Sequence, residues 1–364
     1  MDEVKMNLLP EYFCDRENLL IQFGPLTAAA FRYPSGVCAL RVRNSCGELI
    51  ILPFQGQQIW RASFGGHDLT MKTAFDQPLP TQDYLRTYGG FLLHCGATAM
   101  GVPGAGDSHP LHGELPNLPY EKAMIQCGAN ERGRYLTVGG MTEYLIGFTV
   151  HYRAEPAIRL YENATCAEIS LKITNLRTQP MEFMYLCHIN FRPVDEARLI
   201  YSAHADPEHV KIHADVPLNL PLEAQARLRA YMAALAENPE IHHRVNTATQ
   251  IYDPEIVMAI RYEADADGNA HCLQLLPDGS AHYVSFRTEQ LPLGLRWISR
   301  TGDEDAMGMV LPCTAEHKGL TQARKNGQIR WIPAGGSVSL NLKAGWLEPA
   351  EAARMAEVIQ GVIG

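Results

Sequence analysis

Three histidines lie in one glycine-rich stretch of the chain, between residues 89 and 114. The histidines of that stretch are His94, His109 and His112. A further histidine, His188, lies downstream in an otherwise apolar segment, with Asn190 two positions later. The usual pKa of imidazole is close to neutrality. Two histidines placed by separate strands, with carboxylates available further along the chain, are therefore sufficient for proton transfer near neutral pH.

The elements that position these residues are predicted to be short strands, because two-residue alternation of apolar and polar side chains dominates the sequence. The predicted strands are 37–42, 48–54, 57–64, 158–161, 167–173 and 181–188, a meander of 256–262, 270–276 and 281–287, and a final pair of 328–332 and 338–344. Helical periodicity predicts an inserted helix at 221–237 and a C-terminal helix at 348–360. We therefore expect an all-β fold with few helices, formed as one domain over 1–364 with an N-terminal arm at 1–20.

Composition and charge exclude several classes of partner. The 364 residues carry a net charge of −9 without a basic stretch, which argues against nucleic acid. No apolar run is long enough to cross a bilayer, and the acidic N-terminal residues lack the apolar region of a signal peptide. The nine cysteines are scattered without a C-x-x-C pair, which is typical of a reduced, cytoplasmic protein without a structural zinc site.

Several short motifs recur in a fixed order along the chain. They are Gly89-Gly90, Leu111-His112-Gly113, Arg159-Leu160-Tyr161-Glu162-Asn163, Asn175, Tyr185-Leu186-Cys187-His188-Ile189-Asn190-Phe191, Gly308-Met309-Val310-Leu311-Pro312-Cys313-Thr314 and Ile332-Pro333-Ala334-Gly335-Gly336. In this order they resemble the aldose 1-epimerase (galactose mutarotase-like) superfamily, and most of all its little-characterised bacterial branch. The resemblance implies a β supersandwich of large antiparallel sheets, with a sugar-binding cleft on one sheet.

The resemblance also implies a reaction, in which a cyclic sugar opens and recloses at its anomeric carbon without a cofactor. By match to the motifs, His188 takes the place of the general acid and His112 that of a catalytic, substrate-binding histidine. A proline, Pro312, stands where the family's basic glutamate is expected, so Glu316, four residues later, is the best available base. The family's Gly-Arg-x-x-Asn-Arg motif is replaced here by residues 93–98.

Further residues are candidate ligands for a small carbohydrate. Asn190 shares a strand face with His188, and Trp297 offers an aromatic surface to the C–H face of a sugar. The remaining candidates are polar side chains in or beside apolar strands and the glycine-rich loop: Arg61, Glu114 and His94.

Two other functions compete with mutarotation. A carbohydrate sensor without catalytic activity would keep the cleft and lose the base, as Pro312 suggests. A metal-dependent sugar isomerase or lyase would use a cluster of His94, His109 and His112, since imidazole is a common metal ligand. Neither a metal nor a cofactor is expected in the leading hypothesis, and the sequence is compatible with a homodimer.

Overall fold

The computed structural model describes residues 3–217, 219–248 and 250–364, which form mostly β-strands. In chain order the strands are β1 (Val4–Leu8), β2 (Asn18–Phe23), β3 (Leu26–Arg32), β4 (Cys38–Arg43), β5 (Gly47–Ile51), β6 (Ile59–Phe64), β7 (His67–Asp68), β8 (Leu92–Ala97), β9 (Lys122–Asn130), β10 (Gly133–Ile146), β11 (Val150–Tyr161), β12 (Cys166–Asn175), β13 (Met181–Ile189), β14 (Arg198–Tyr201), β15 (Val210–His213), β16 (Ile256–Ile260), β17 (Asn269–Leu275), β18 (Ala281–Arg287), β19 (Leu293–Arg300), β20 (Asp305–Cys313), β21 (Arg330–Ile332) and β22 (Ser337–Leu347). The predicted all-β class is confirmed.

The helices of the described residues are α1 (Leu222–Glu237), α2 (Gly319–Lys325) and α3 (Pro349–Ile363). Single-turn 3₁₀ helices occupy Pro10–Tyr12, Tyr84–Thr87, Leu115–Asn117 and Pro239–His243. The first and last α-helices lie where the sequence predicts them, and each has a proline at or beside its first turn, where a missing N–H costs nothing. Helix α2 was not predicted, because its seven residues are too few for a clear periodicity. Within the described part of the chain, no helix combines the length and apolarity required of a membrane span.

The strands form two antiparallel sheets. In the described residues, one sheet has the order β1-β9-β10-β11-β12-β22-β18-β17-β14, and the larger sheet has the order β15-β16-β19-β20-β13-β8-β6-β5-β4-β3-β2. Two short strands extend the larger sheet, with β21 paired to β13 and β7 paired to β6. Segment 1–20, predicted as an arm, supplies β1 at an edge of the first sheet and the start of β2 at an edge of the second.

Two predicted pairings were wrong. The second and third strands of the predicted meander pair as β17 and β18, but its first strand, β16, belongs to the other sheet. The final pair does not form, since β21 pairs with β13 while β22 lies between β12 and β18. Alternation identifies a strand but carries no information about its distant partner.

The main core lies between the two sheets. Side chains of one face of the larger sheet, such as Ile59 and Phe183, pack in one buried cluster with Val138 and Ile169 of the smaller sheet. The other face of the larger sheet carries a separate apolar cluster that includes Leu93, Met184, Leu186, Leu295 and Leu311. Successive residues of a strand therefore point either into the core or toward this outer cluster.

Candidate functional site

A cavity of ≈ 180 Å³ opens on the outer face of the larger sheet, above β13, β16, β19 and β20. Leu186, Leu295 and Leu311 form part of its apolar floor. Its polar and aromatic lining comes from residues widely separated in sequence: Tyr84, Tyr88, His112, His188, Glu255, Trp297 and His317. The cavity thus brings together three sequence-predicted site residues, His112, His188 and Trp297.

His188 on β13 is buried, with 4% of its surface exposed, and its orientation is fixed by a neighbour on the same strand face. The Nδ1 atom of His188 lies 2.7 Å from Oδ1 of Asn190. The amide nitrogen of Asn190 donates to the carbonyl of Gly90 at 2.9 Å, so the amide oxygen must face the histidine and accept from Nδ1–H. This arrangement leaves Nε2 of His188 as the nitrogen with a lone pair, and Nε2 has no hydrogen-bond partner among the described residues.

His188 is uncharged at neutral pH. Burial lowers the pKa of His188 to about 4, although the hydrogen bond to Asn190 acts in the opposite direction. The cavity is therefore lined by a neutral imidazole whose available nitrogen can accept a proton.

His112 approaches His188 from a loop, and the two ring centroids are 5.4 Å apart with nearly perpendicular planes. The backbone of His112 adopts φ +60°, which is uncommon for a residue other than glycine. Two backbone hydrogen bonds hold it there, from its N–H to Gly101 and from the N–H of Gly96 to its carbonyl. Its Nδ1 is buried without a partner, and burial together with the nearby His188 lowers the pKa of His112 well below its usual value. A strained backbone with an unpaired ring nitrogen is typical of a residue reserved for a ligand.

Aromatic side chains surround the two histidines. Trp297 stands edge-on to His188 at 5.3 Å between centroids, and Tyr88 does so at 5.7 Å. Tyr84 contacts the ring of His112 at 4.9 Å, and its buried hydroxyl has no hydrogen-bond partner. The hydroxyl of Tyr88 donates to Oδ1 of Asn190 at 3.1 Å, which further fixes that amide. These surfaces suit a ligand with apolar C–H faces and polar edges.

Glu255 supplies the carboxylate of the cavity. It directly precedes β16, in which Val257 pairs with Trp297 of β19. The indole N–H of Trp297 donates to Oε2 of Glu255 at 2.6 Å. Glu255 also lines a second, adjoining cavity of ≈ 390 Å³.

Glu316, the predicted base, lies outside the lining of both cavities. Both of its carboxylate oxygens accept hydrogen bonds from Lys211, at 2.8 and 2.9 Å. One of them is also 3.3 Å from Nε2 of His213, outside hydrogen-bonding geometry. The next residue, His317, does line the cavities. The geometry therefore gives no support to Glu316 as the group that removes a proton from the ligand.

The other predicted ligands lie away from the cavity lining. His94 points into the core between the sheets, where its Nδ1 is 2.6 Å from the hydroxyl of Tyr185. Glu114 holds the backbone N–H groups of residues 97 and 98 and accepts from Tyr152. Arg61 donates to backbone carbonyls, including that of Gly89 at 2.7 Å. We correct the predicted placement of all three, because none of them lines either cavity.

The proposed cluster of His94, His109 and His112 does not form a metal site. The ring of His94 lies on the core face of β8, whereas His112 lies on the outer face. No group of three or more histidine, cysteine or carboxylate side chains in the described residues has a geometry that could hold a metal ion.

A family model described as a domain of unknown function, DUF4432, matches residues 34–345. The chain belongs to the DUF4432 family. A comparison with curated proteins found no match for this DUF4432 chain.

Solved structures relate the DUF4432 chain to a known fold. A provisionally assigned aldose 1-epimerase from Klebsiella pneumoniae matches with a TM-score of 0.83 and 15% identity, covering 100% of this chain and 96% of the other. A galactose mutarotase-like protein from Clostridium acetobutylicum matches at 0.59 and 12%, covering 89% and 99%. A provisionally assigned aldose 1-epimerase from Escherichia coli K12 matches at 0.51 and 14%, covering 84% and 97%. The fold is therefore galactose mutarotase-like, as the sequence motifs predicted.

Sequence reasoning missed several lining residues of this DUF4432 cavity. Tyr84 and Tyr88 are four positions apart around a single helical turn before Gly89, a spacing that could have been noticed. Glu255 and His317 carry no local signal, since only the pairing of distant strands brings them to the cavity.

Proposed function

We propose that this DUF4432 protein interconverts the anomers of a sugar by opening and reclosing its ring in the cavity beside His188. The observation that carries the proposal is the fixed, neutral imidazole of His188, whose Nδ1–H is held by Asn190 while Nε2 is left to the ligand. The structural neighbours assigned to aldose 1-epimerases support the same chemistry, at an identity that by itself establishes only the fold.

Proton transfer in this reaction requires a single ring nitrogen, Nε2 of His188. Nε2 of His188 accepts the proton of the anomeric hydroxyl, the C1–O1 bond becomes a carbonyl, and the bond from C1 to the ring oxygen breaks. The resulting imidazolium donates the same proton to the ring oxygen, which gives the open-chain aldehyde. Both oxygens are bonded to C1, so a single ring nitrogen can reach each in turn. Rotation of the aldehyde and the reverse steps then close the other anomer.

This path modifies the role predicted for His188. The sequence resemblance implies a general acid, but a pKa of about 4 leaves little imidazolium at neutral pH. In the proposed path His188 becomes an acid only after it has taken the substrate proton. A separate glutamate base is not required, which accommodates Pro312 and the ion pair between Glu316 and Lys211.

Other lining residues orient the sugar. His112, neutral and with an unpaired Nδ1, binds a hydroxyl, and Trp297 packs against a C–H face. Glu255, which also lines the cavity, accepts further hydroxyl donors. The reaction uses groups of the protein alone, and its partner is a small carbohydrate in the cytoplasm.

The experiment is anomer exchange measured by proton NMR over a panel of reducing sugars. Replacing the buried imidazole with an amide, His188→Gln, should lower the enzymatic rate on the order of 10²–10⁴-fold, as expected for loss of a proton-transfer group. His282→Gln is the matched control: His282 is equally buried, also has a lowered pKa of about 3, and faces the core. Equal losses in both variants would contradict the proposal.

The sensor hypothesis gives a different result in the same assay. If a sugar binds in the cavity and no sugar of the panel is turned over faster than in buffer, the protein binds carbohydrate without catalysis. Binding that is lost in His188→Gln and kept in His282→Gln would then locate the ligand.

A further inference from the structure

The second cavity adjoins the first on the outer face of the larger sheet. Its volume is ≈ 390 Å³, about twice the ≈ 180 Å³ of the cavity beside His188. The two share lining residues: Val102, Glu255, Val257 and His317. They are neighbouring sections of one cleft, and together they reach the size of pockets that hold ligands larger than one small ring.

Two imidazoles among the residues that line the second cavity have a buried nitrogen that makes no hydrogen bond. His213 at the end of β15 is 7% exposed, and its Nε2 lies 3.3 Å from Oε2 of Glu316 without hydrogen-bonding geometry. Nδ1 of His317 is buried without a partner, and the two rings meet edge to face at 4.7 Å. Buried polar atoms without partners are costly, so a ligand that hydrogen-bonds to both imidazoles would be stabilised here.

Apolar side chains complete the second cavity. Val216, Pro217 and Met232 line it together with polar and charged residues. Such a combination fits a polyhydroxylated ring, which has C–H faces and hydroxyl edges.

The charges of the cleft do not suit an anion. Among the described residues that line it, Asp215 and Glu255 accompany one lysine, Lys318, whose ammonium group already donates to Asp215. Burial keeps His213 and His317 neutral by lowering the pKa of His213 to about 4 and that of His317 to about 3. A phosphate, sulfonate or carboxylate substituent would find acids and neutral imidazoles where it needs cations.

We propose that the second cavity holds an uncharged second sugar ring, so that the preferred substrate is a reducing disaccharide whose reducing end lies beside His188. This inference rests on the proposed mutarotase function for the orientation of the ligand. Hydrogen bonds to His213 and His317 and contact with the apolar lining residues give the disaccharide its advantage over a monosaccharide.

The test compares ligands that share a reducing-end glucose: glucose itself, maltose, cellobiose, lactose and melibiose, with glucose 6-phosphate as the anionic alternative. Binding is measured by calorimetry and anomer exchange by NMR, on wild type and on Val216→Trp, which fills the second cavity. At least one disaccharide should bind roughly tenfold more tightly than glucose, and Val216→Trp should remove that difference. His213→Gln provides a second variant should the larger side chain prevent folding, and Val358→Trp on α3 is the control for adding an indole elsewhere.

The outcomes distinguish a failure of the second-cavity inference from a failure of the proposed mutarotase function. A disaccharide preference lost in Val216→Trp or His213→Gln and kept in Val358→Trp supports the inference, even if no sugar is turned over and the mutarotase function fails. Turnover of glucose with no disaccharide preference overturns the inference and leaves the mutarotase function standing. Tighter binding of glucose 6-phosphate, or binding of none of these sugars, also overturns it.

Discussion

The proton-accepting role proposed for His188 predicts a specific dependence of the rate on pH. Because burial sets the pKa of His188 to about 4, the reactive neutral form prevails above about pH 5. The wild-type rate should therefore be constant between about pH 5.5 and 8 and fall below that range. Replacing Asn190 by aspartate should move the low-pH fall of the rate profile to higher pH. The substitution places a carboxylate where the amide oxygen of Asn190 lies 2.7 Å from Nδ1 of His188.

The size of the shift follows from that contact. A carboxylate at hydrogen-bonding distance raises a histidine pKa by roughly 1–3 units, so the pKa of His188 should rise from about 4 to roughly 6. At pH 5 about nine-tenths of His188 is neutral in the wild type, against about a tenth in Asn190→Asp. The variant at pH 5 should therefore run roughly tenfold below its own high-pH plateau, whereas the wild type should be nearly at its plateau.

Anomer exchange by NMR gives the rate profile, and the ring protons of His188 give its pKa independently of activity. Asn175→Asp is the matched control, because Asn175 is another fully buried asparagine whose amide donates to backbone carbonyls. Asn175→Asp should lower the stability of the protein and leave the low-pH fall of the rate at the same pH as in the wild type. A wild-type rate that rises about tenfold per unit from pH 7 to 5 would refute the reasoning, since the imidazolium would then be the form that starts the reaction. A low-pH fall of the rate at the same pH in Asn190→Asp as in the wild type would refute it as well.

Three further measurements test the site. Glu316→Gln should retain most of the activity because that carboxylate pairs with Lys211, whereas Glu255→Gln should weaken sugar binding. A loss of activity in Glu316→Gln with little change in Glu255→Gln, measured by steady-state kinetics, would restore Glu316 as the base. Trp297→Phe removes the N–H donor to Glu255 and should raise KM roughly fivefold with little change in kcat, and a selective loss of kcat would argue against a binding role. The free energy of unfolding should fall between pH 7.5 and 5. The pKa of His94 in the folded protein, about 4, lies below its value in the unfolded chain, so in this range the unfolded chain binds a proton that the folded chain does not. This difference lowers the free energy of unfolding by about 2 kcal/mol at pH 5 for this side chain alone. A urea midpoint that is equal or higher at pH 5 would contradict this last expectation.

The fold and part of the cleft could be predicted from sequence because their signals are local. His188 and Asn190 are two residues apart in a strand, so their shared face follows from strand geometry. The glycines before and after the histidine-rich loop gave the motifs that resemble the mutarotase-like superfamily. These features place the two histidines on one cleft, and the structure finds their rings 5.4 Å apart.

His94 and Glu316 lie outside the cavity lining, although a residue next to each faces the outer side of the larger sheet or lines the cavity. His94 was chosen from a strand in which Leu93 points toward the outer cluster, so His94 points into the core. Glu316 and His317 are adjacent, and it is His317 that lines the cleft. A shift of one position along the chain is enough to exchange a side chain that faces the cleft for one that faces the protein.

The connection between β15 and β16, residues 214–255, contains α1 and links two strands at one edge of the larger sheet. It contributes Asp215, Val216, Met232 and Glu255 to the second cavity, while His188 stands on β13 in the middle of the sheet. On the proposed function, substrate length and proton transfer therefore depend on separate parts of the chain. Exchanging this connection between members of the family would then change the length of the sugar that the protein binds. The strands that hold His188 would remain in place.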